Sequence, residues 1–220
     1  MRRLWRQQFH QLRLRWRSGC LLIVFMSLFL ADLSRETFQP GVTAPTIYAY
    51  LFSSQLFSTI YLPLCLMAGL SLFDYRLLDY GRVGRKRVWF WQLLSQNLIL
   101  QGMLWGLWTG GLLWRGYFLG HWVAVKIILW GCLQMGMHQG FFVTLSLILY
   151  WSLRKKVVAV LGTWLLEVVG LDLLRQPASP FFKYIHLAPF GSHWVAALVV
   201  CLGWGVALIG LRWLIDWRDS

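Results

Sequence analysis

Residues 92–101 read QLLSQNLILQ and residues 134–140 read QMGMHQG. Both runs set amide side chains inside long apolar stretches. Gln92, Gln96, Asn97 and Gln101 are spaced four, five and nine apart and are expected along one face of a helix. Gln134, His138 and Gln139 lie among Gly131, Gly136 and Gly140, where a long helix is expected to break or bend. Glu167 stands near the middle of a further apolar run, with Asp172 near its end. Amides, an imidazole and a carboxylate can bond across helices, hold a proton or bind a polar group in passage. At membrane depth such groups are costly, and they face a bundle interior or a cavity. The amides read first as interhelical hydrogen-bond partners and second as ligands for a substrate. Glu167 must find a partner or stay protonated, which suits either a structural pair or a transport-pathway residue.

Other chemistry is missing. His138 has no second ligand three or four residues away, so no metal site is expected. There is no G-x-x-x-x-G-K-[ST] loop to cradle phosphates and no H-E-x-x-H. Gly69-Leu70-Ser71 lacks the second glycine of a nucleophile elbow, and Gly191-Ser192-His193 lacks a third catalytic member. No catalytic residue is assigned. Cys20, Cys65, Cys132 and Cys201 all sit in apolar runs without metal-type spacing and read as buried thiols.

The elements that carry these groups follow from composition. Of the 220 residues only 13% are charged, against about 25% in an ordinary soluble domain. The mean hydropathy is +0.57. An all-α integral membrane protein is expected, with six transmembrane helices near 16–33, 46–72, 88–113, 123–152, 157–173 and 194–213. The first is the weakest, since Asp32 lies within it, and a cleaved signal peptide is its rival reading. The net charge of +13 could suit nucleic acid, but the cations fall between apolar runs. Six spans put 16 of the 21 basic residues on the side of the termini, which makes that side cytosolic.

The leader, 1–17, reads as an amphipathic helix lying in the membrane plane. At about 100° per residue, Trp5, Phe9, Leu12 and Trp16 share a sector of about 60°. Arg2, Arg3, Arg6, Arg13 and Arg17 occupy the neighbouring sector, facing anionic headgroups. An ordinary positive-inside flank is the plainer reading.

Two connections stand out. Residues 79–94 read DYGRVGRKRVWFWQLL, a cationic cluster running into the third expected span. Residues 175–193, RQPASPFFKYIHLAPFGSH, are too apolar for an exposed tip, and Pro177 and Pro180 interrupt any single helix. A re-entrant hairpin over 174–193, on the outer side between spans five and six, is expected.

This layout resembles the permease subunit of ABC type-2 exporters. That family also sets an amphipathic helix before six spans and a coupling helix between spans two and three. Its outer hairpin carries a hydrophobic-proline pattern similar to YIHLAPF at 184–190. The resemblance implies that the cytosolic loop 74–87 docks on a separate ABC ATPase through Asp79, Tyr80, Gly81, Arg82, Gly84, Arg85, Lys86 and Arg87. It implies ATP and magnesium on that partner and no cofactor on this chain. It further implies a second permease protomer, identical or a sister chain, in a bacterial plasma membrane, with no nucleic acid involved. The cargo implied is amphipathic: a peptide, an antibiotic or a lipid-like molecule. Gln96, Asn97, Gln101, Gln134, His138 and Glu167 are the candidates for its pathway or for interior polar contacts, and Trp5, Phe9 and Trp16 for the membrane interface. The alternative is the six-helix capture subunit of a vitamin uptake transporter, which would need no basic coupling loop.

Arg2→Cys and Asp219→Cys variants check the orientation. Neither thiol should react with a membrane-impermeant maleimide in intact cells, and both should react after the membrane is opened.

Overall fold

The structure is a computed structural model that describes residues 24–29, 31–33, 37, 41–53, 56–72, 86–118, 122–174 and 193–217. The leader 1–17, loop residues 73–85 and residues 175–192 of the expected hairpin lie outside them. Among the described residues the regular structure is entirely helical, with no strand. Besides helical residues at 24–29 and 31–33, the elements are α1 (Ala44–Leu51), a π turn (Phe57–Tyr61), α2 (Leu62–Leu72), α3 (Lys86–Phe118), α4 (Trp122–Leu153), α5 (Lys156–Leu174) and α6 (His193–Trp217). Among the described residues two helical stretches are long and apolar enough to cross a membrane: Val125–Leu153 in α4 and Leu198–Trp217 in α6. That pair is compatible with a membrane protein.

The central element is α4, which packs against α1, α2, α3, α5 and α6. It runs unbroken through its glycines, contrary to the expected break, because those glycines receive neighbouring rings. A Cβ on Gly131 would strike the ring of Phe52. One on Gly136 would come within 2.7 Å of the Trp105 indole nitrogen, and one on Gly140 within 2.8 Å of Trp204. Rings from three other parts of the chain thus close on one helix. Gly136 and Gly140, four residues apart, are a seat for side chains.

The expected span 46–72 is also not one helix. It stops at Phe52 and Ser53 and restarts where Ser53 Oγ accepts the Leu56 N–H at 3.2 Å. The restart is a π turn, in which the Leu62 N–H reaches back five residues to the Phe57 carbonyl. That register skips the Ser58 carbonyl, and the next residue in line, Pro63, has no N–H to offer. The Trp164 indole of α5 fills the gap, donating to Ser58 O at 2.8 Å. A backbone fault becomes a tie between the π turn and α5.

Helices α4 and α5 are joined by Arg154 and Lys155 alone. Arg154 takes a left-handed φ of 56° as its N–H closes onto Tyr150 O at 2.8 Å. A side chain in that region costs about 1–2 kcal/mol, so so tight a reversal makes the two helices antiparallel neighbours.

Large apolar side chains also cover the outside, Leu198, Leu202, Val206 and Ile209 on α6 and Val157, Leu161, Leu165 and Val169 on α5 among them. Exposed aromatics gather at the two ends. Trp91 begins α3, while Trp114, Tyr117 and Phe118 finish it. From Trp91 to Trp114 a helix rises about 34 Å. At the Trp91 end, Arg212 of α6 holds Asp216 at 2.9 Å and lies 5.5 Å over the Phe90 ring.

The notches give a direct check. Gly131→Val should lower the melting temperature in detergent sharply, with a cost of about 2–3 kcal/mol from overpacking. A Cβ on Gly106 meets nothing within 4 Å, so Gly106→Ala should be neutral or raise stability by up to about 1 kcal/mol.

Candidate functional site

A cleft of about 360 Å³ lies between α3, α4 and α6. Helix α4 forms its back wall from Leu133 to Thr144, α3 one side from Leu94 to Trp105, and α6 the other with Cys201 and Trp204. All three segments sit in the middle portion of their helices. Leu98, Gly102, Leu133 and Cys201 are exposed at its mouth, so it opens sideways between α3 and α6.

The two tryptophans are pinned to α4, their rings over glycines one turn apart. Trp105 donates to the Cys132 carbonyl at 2.7 Å, using a carbonyl within the helix that has a second lone pair to give. Trp204 donates to Thr144 Oγ1 at 3.0 Å, and Thr144 in turn donates to Gly140 O at 2.8 Å. Each ring lies against a glycine, which lets the indole approach the backbone. The Cys201 thiol meets the Met137 sulfur at 3.7 Å.

Behind this wall runs a chain of amides. Gln101 Nε2 donates to Cys65 O of α2 at 3.2 Å. Gln139 Nε2 donates to Gln101 O at 3.2 Å and also to Gln101 Oε1. Tyr61 of the π turn closes the chain, its hydroxyl donating to Gln139 Oε1 at 2.6 Å. The Tyr61 ring meets Trp108 edge-on at 5.0 Å. Every link joins two helical elements, so the chain ties α2, the π turn, α3 and α4 at one level.

A second polar group lies on the α1 side of α4. Tyr48 donates to Gln134 Oε1 at 3.0 Å. His138 Nδ1 lies 2.9 Å from the Gln134 carbonyl, which accepts only, so the proton of this bond is on Nδ1. The edge of Phe57 meets the imidazole, with 6.0 Å between ring centres.

The sequence-derived residues therefore separate. Asn97 and Gln101 line the cleft, whereas Gln134 and His138 face Tyr48 and Phe57. Gln96 is buried in α3 outside the cleft, as is Gln92. The expectation that all four α3 amides share a face fails, since a step of five residues turns a helix through about 140°. Glu167 is only 2% exposed on α5, away from the cleft wall. Lys86 and Arg87 open α3. Asp79, Tyr80, Gly81, Arg82, Gly84 and Arg85 lie outside the described residues, as do Trp5, Phe9 and Trp16. Among the described residues no cluster of three or more His, Cys, Asp or Glu side chains could hold a metal. Tyr61, Trp105, Thr144 and Trp204 were not signalled by sequence. Only the glycines opposite two of them offered a hint.

The amide chain predicts a paired effect. Gln139→Leu strands the Tyr61 hydroxyl and one end of Gln101, and should cost about 2 kcal/mol in denaturant-titrated unfolding. Adding Tyr61→Phe should cost less than the sum of the two single changes, because the stranded hydroxyl is gone.

No family model matches this chain, and no curated protein or solved structure matches it at a significant level.

Proposed function

We propose that the chain is the membrane-spanning permease subunit of an ATP-driven ABC exporter, moving an amphipathic molecule out of the cytosol. Its spans are the six expected ones, with both termini cytosolic, the 1–17 helix in the membrane plane and the 174–193 segment re-entrant on the outer side. The observation that carries this reading is the cleft: a mostly apolar recess edged by a few amides at mid-helix, opening sideways through an apolar exterior. A soluble protein rarely leaves apolar patches of this extent uncovered, while a bilayer covers them. The rise of about 34 Å between the aromatic ends of α3 matches a hydrocarbon core of about 30 Å flanked by interfacial tryptophans.

Energy would come from a separate ATPase docked on the 74–87 loop, in a complex holding two permease protomers. The loop's last residues open α3, whose Phe90 lies under Arg212 of α6. A push on the loop therefore reaches both side walls of the cleft through their shared cytosolic end. This chain performs no ATP chemistry of its own.

Charge reversal tests the coupling. An Arg82→Glu, Arg85→Glu variant keeps 14 of the 16 inner cations, so orientation and expression should survive. Docking on an acidic partner should weaken by about 2–5 kcal/mol. The purified complex should lose its ATPase, or retain it and its basal hydrolysis while transport is lost. A double variant that assembles and transports like the parent refutes the coupling assignment.

A further inference from the structure

We infer that the cleft between α3, α4 and α6 binds an uncharged amphiphile with a hydroxyl-bearing headgroup, a monoacylglycerol-like lipid, drawn sideways from the bilayer. This rests on the reading of these helices as membrane spans, but not on the ATPase coupling.

Charge is the first argument. None of the residues lining the cleft is ionisable apart from the Cys201 thiol. An anionic or cationic headgroup held there would be taken out of water with no counter-charge, at a cost of several kcal/mol. A phospholipid or a charged peptide is thereby disfavoured, and a neutral ligand is not.

The second argument is which polar groups remain to be used. Gln101, Gln139, Thr144 and both indole N–H groups already have protein partners. Asn97 differs. It lines the cleft, it is only 4% exposed, and its Oδ1 has no hydrogen-bond partner. That oxygen is turned toward Gly69 of α2, 3.8 Å from where a Cβ on that glycine would stand. A half-turn of the amide exchanges Oδ1 and Nδ2, so the group can offer the cleft an acceptor or a donor. A hydroxyl, which both gives and accepts, satisfies either arrangement. One unused amide in an otherwise apolar recess calls for a ligand with a small polar end and an apolar remainder.

Size and access agree with this. At about 30 Å³ per water, 360 Å³ has room for about a dozen heavy atoms: a glycerol headgroup and the first methylenes of a chain. The rest of the tail would leave through the mouth at Leu98, Gly102, Leu133 and Cys201, onto the face that meets lipid. Trp105 and Trp204 line the cleft with flat surfaces that carry no unspent donor.

The test uses the full chain, alone, in phosphatidylcholine nanodiscs. The probe is a monoacylglycerol with a diazirine near its ester, and cross-linked peptides are mapped by mass spectrometry. Saturable labelling is expected within 94–105, 133–144 or 198–204, competed by unlabelled monoacylglycerol. A matched phosphatidylglycerol probe should label these peptides only at background. Gly102→Leu should abolish the labelling, because a Cβ there meets nothing within 4 Å and the side chain fills the mouth. Asn97→Leu should weaken apparent affinity about five-fold, the worth of one hydrogen bond. As a second measure on the unaltered chain, saturating monoacylglycerol should slow alkylation of the exposed Cys201 thiol, read on the peptide that carries it, while the buried Cys65 and Cys132 stay silent. Equal labelling by the anionic probe overturns the proposal, as does labelling elsewhere only, or Cys201 alkylation that the lipid leaves unchanged. Cross-links from the cleft to a second copy of the chain would also overturn it, since a protomer would then fill the site. The Arg82→Glu, Arg85→Glu variant should label normally, so a failure of the coupling and a failure of the cleft are read separately.

Discussion

Three side-chain rings pressed onto three glycines of one helix hold this protein together. Phe52, Trp105 and Trp204 come from distant parts of the chain, and each lies where a Cβ of α4 would have been. Helix α4 can touch α1, α2, α3, α5 and α6 because its surface is notched rather than smooth. Two rings also donate hydrogen bonds into α4, so dispersion and polar terms act at the same points. The cleft is a by-product of this arrangement. Two indoles hold α3 and α6 against α4 while leaving α3 and α6 little in contact with each other.

The interior is also governed by the need to satisfy polar groups away from water. The π turn leaves Ser58 O without a backbone donor, and an indole from α5 arrives. The amide of Gln139 would be stranded in an apolar bundle, and Tyr61 and Gln101 surround it. These solutions tie one helix to another, which is how a costly group becomes a constraint on the fold. Asn97 Oδ1 breaks the pattern beside the cleft, and Thr163 Oγ1 and the Trp108 indole break it elsewhere.

Much of the helical layout was legible. The apolar runs at 123–152 and 157–173 reappear as Trp122–Leu153 and Lys156–Leu174, because Arg154 and Lys155 between them cannot sit among apolar neighbours. The span at 194–213 begins at His193 but continues to Trp217, since Arg212 is neutralised by Asp216 one turn on and lies over Phe90. The break at Phe52 and Ser53 is marked only by the short polar run Ser53-Ser54-Gln55, after which apolar residues resume at Leu56, so the stretch still reads as one span. For the site, Asn97 and Gln101 stood out as amides in an apolar run, and both line the cleft. Trp105 and Trp204 did not stand out in a chain with 15 tryptophans. Nothing local distinguishes a tryptophan that meets a glycine in another helix from one that meets lipid. Gln139 and Tyr61 likewise stand 78 residues apart, a pairing that periodicity within either helix does not encode.

The amide chain has a consequence for how such a protein is made. Helix α3 emerges from the ribosome before α4, yet the groups that satisfy its Gln101 carbonyl and side-chain oxygen lie on α4. Until then Gln101 has only its bond to Cys65 O of α2, whereas stretches of α4 and α6 are by themselves long and apolar enough to cross a membrane. The two-residue reversal at Arg154 lets α5 follow α4 immediately as a helical hairpin. Helix α3 would thus reach its final packing late, as the companion of a hairpin synthesised after it, and stalled synthesis near residue 140 would leave it the first segment open to quality-control proteolysis.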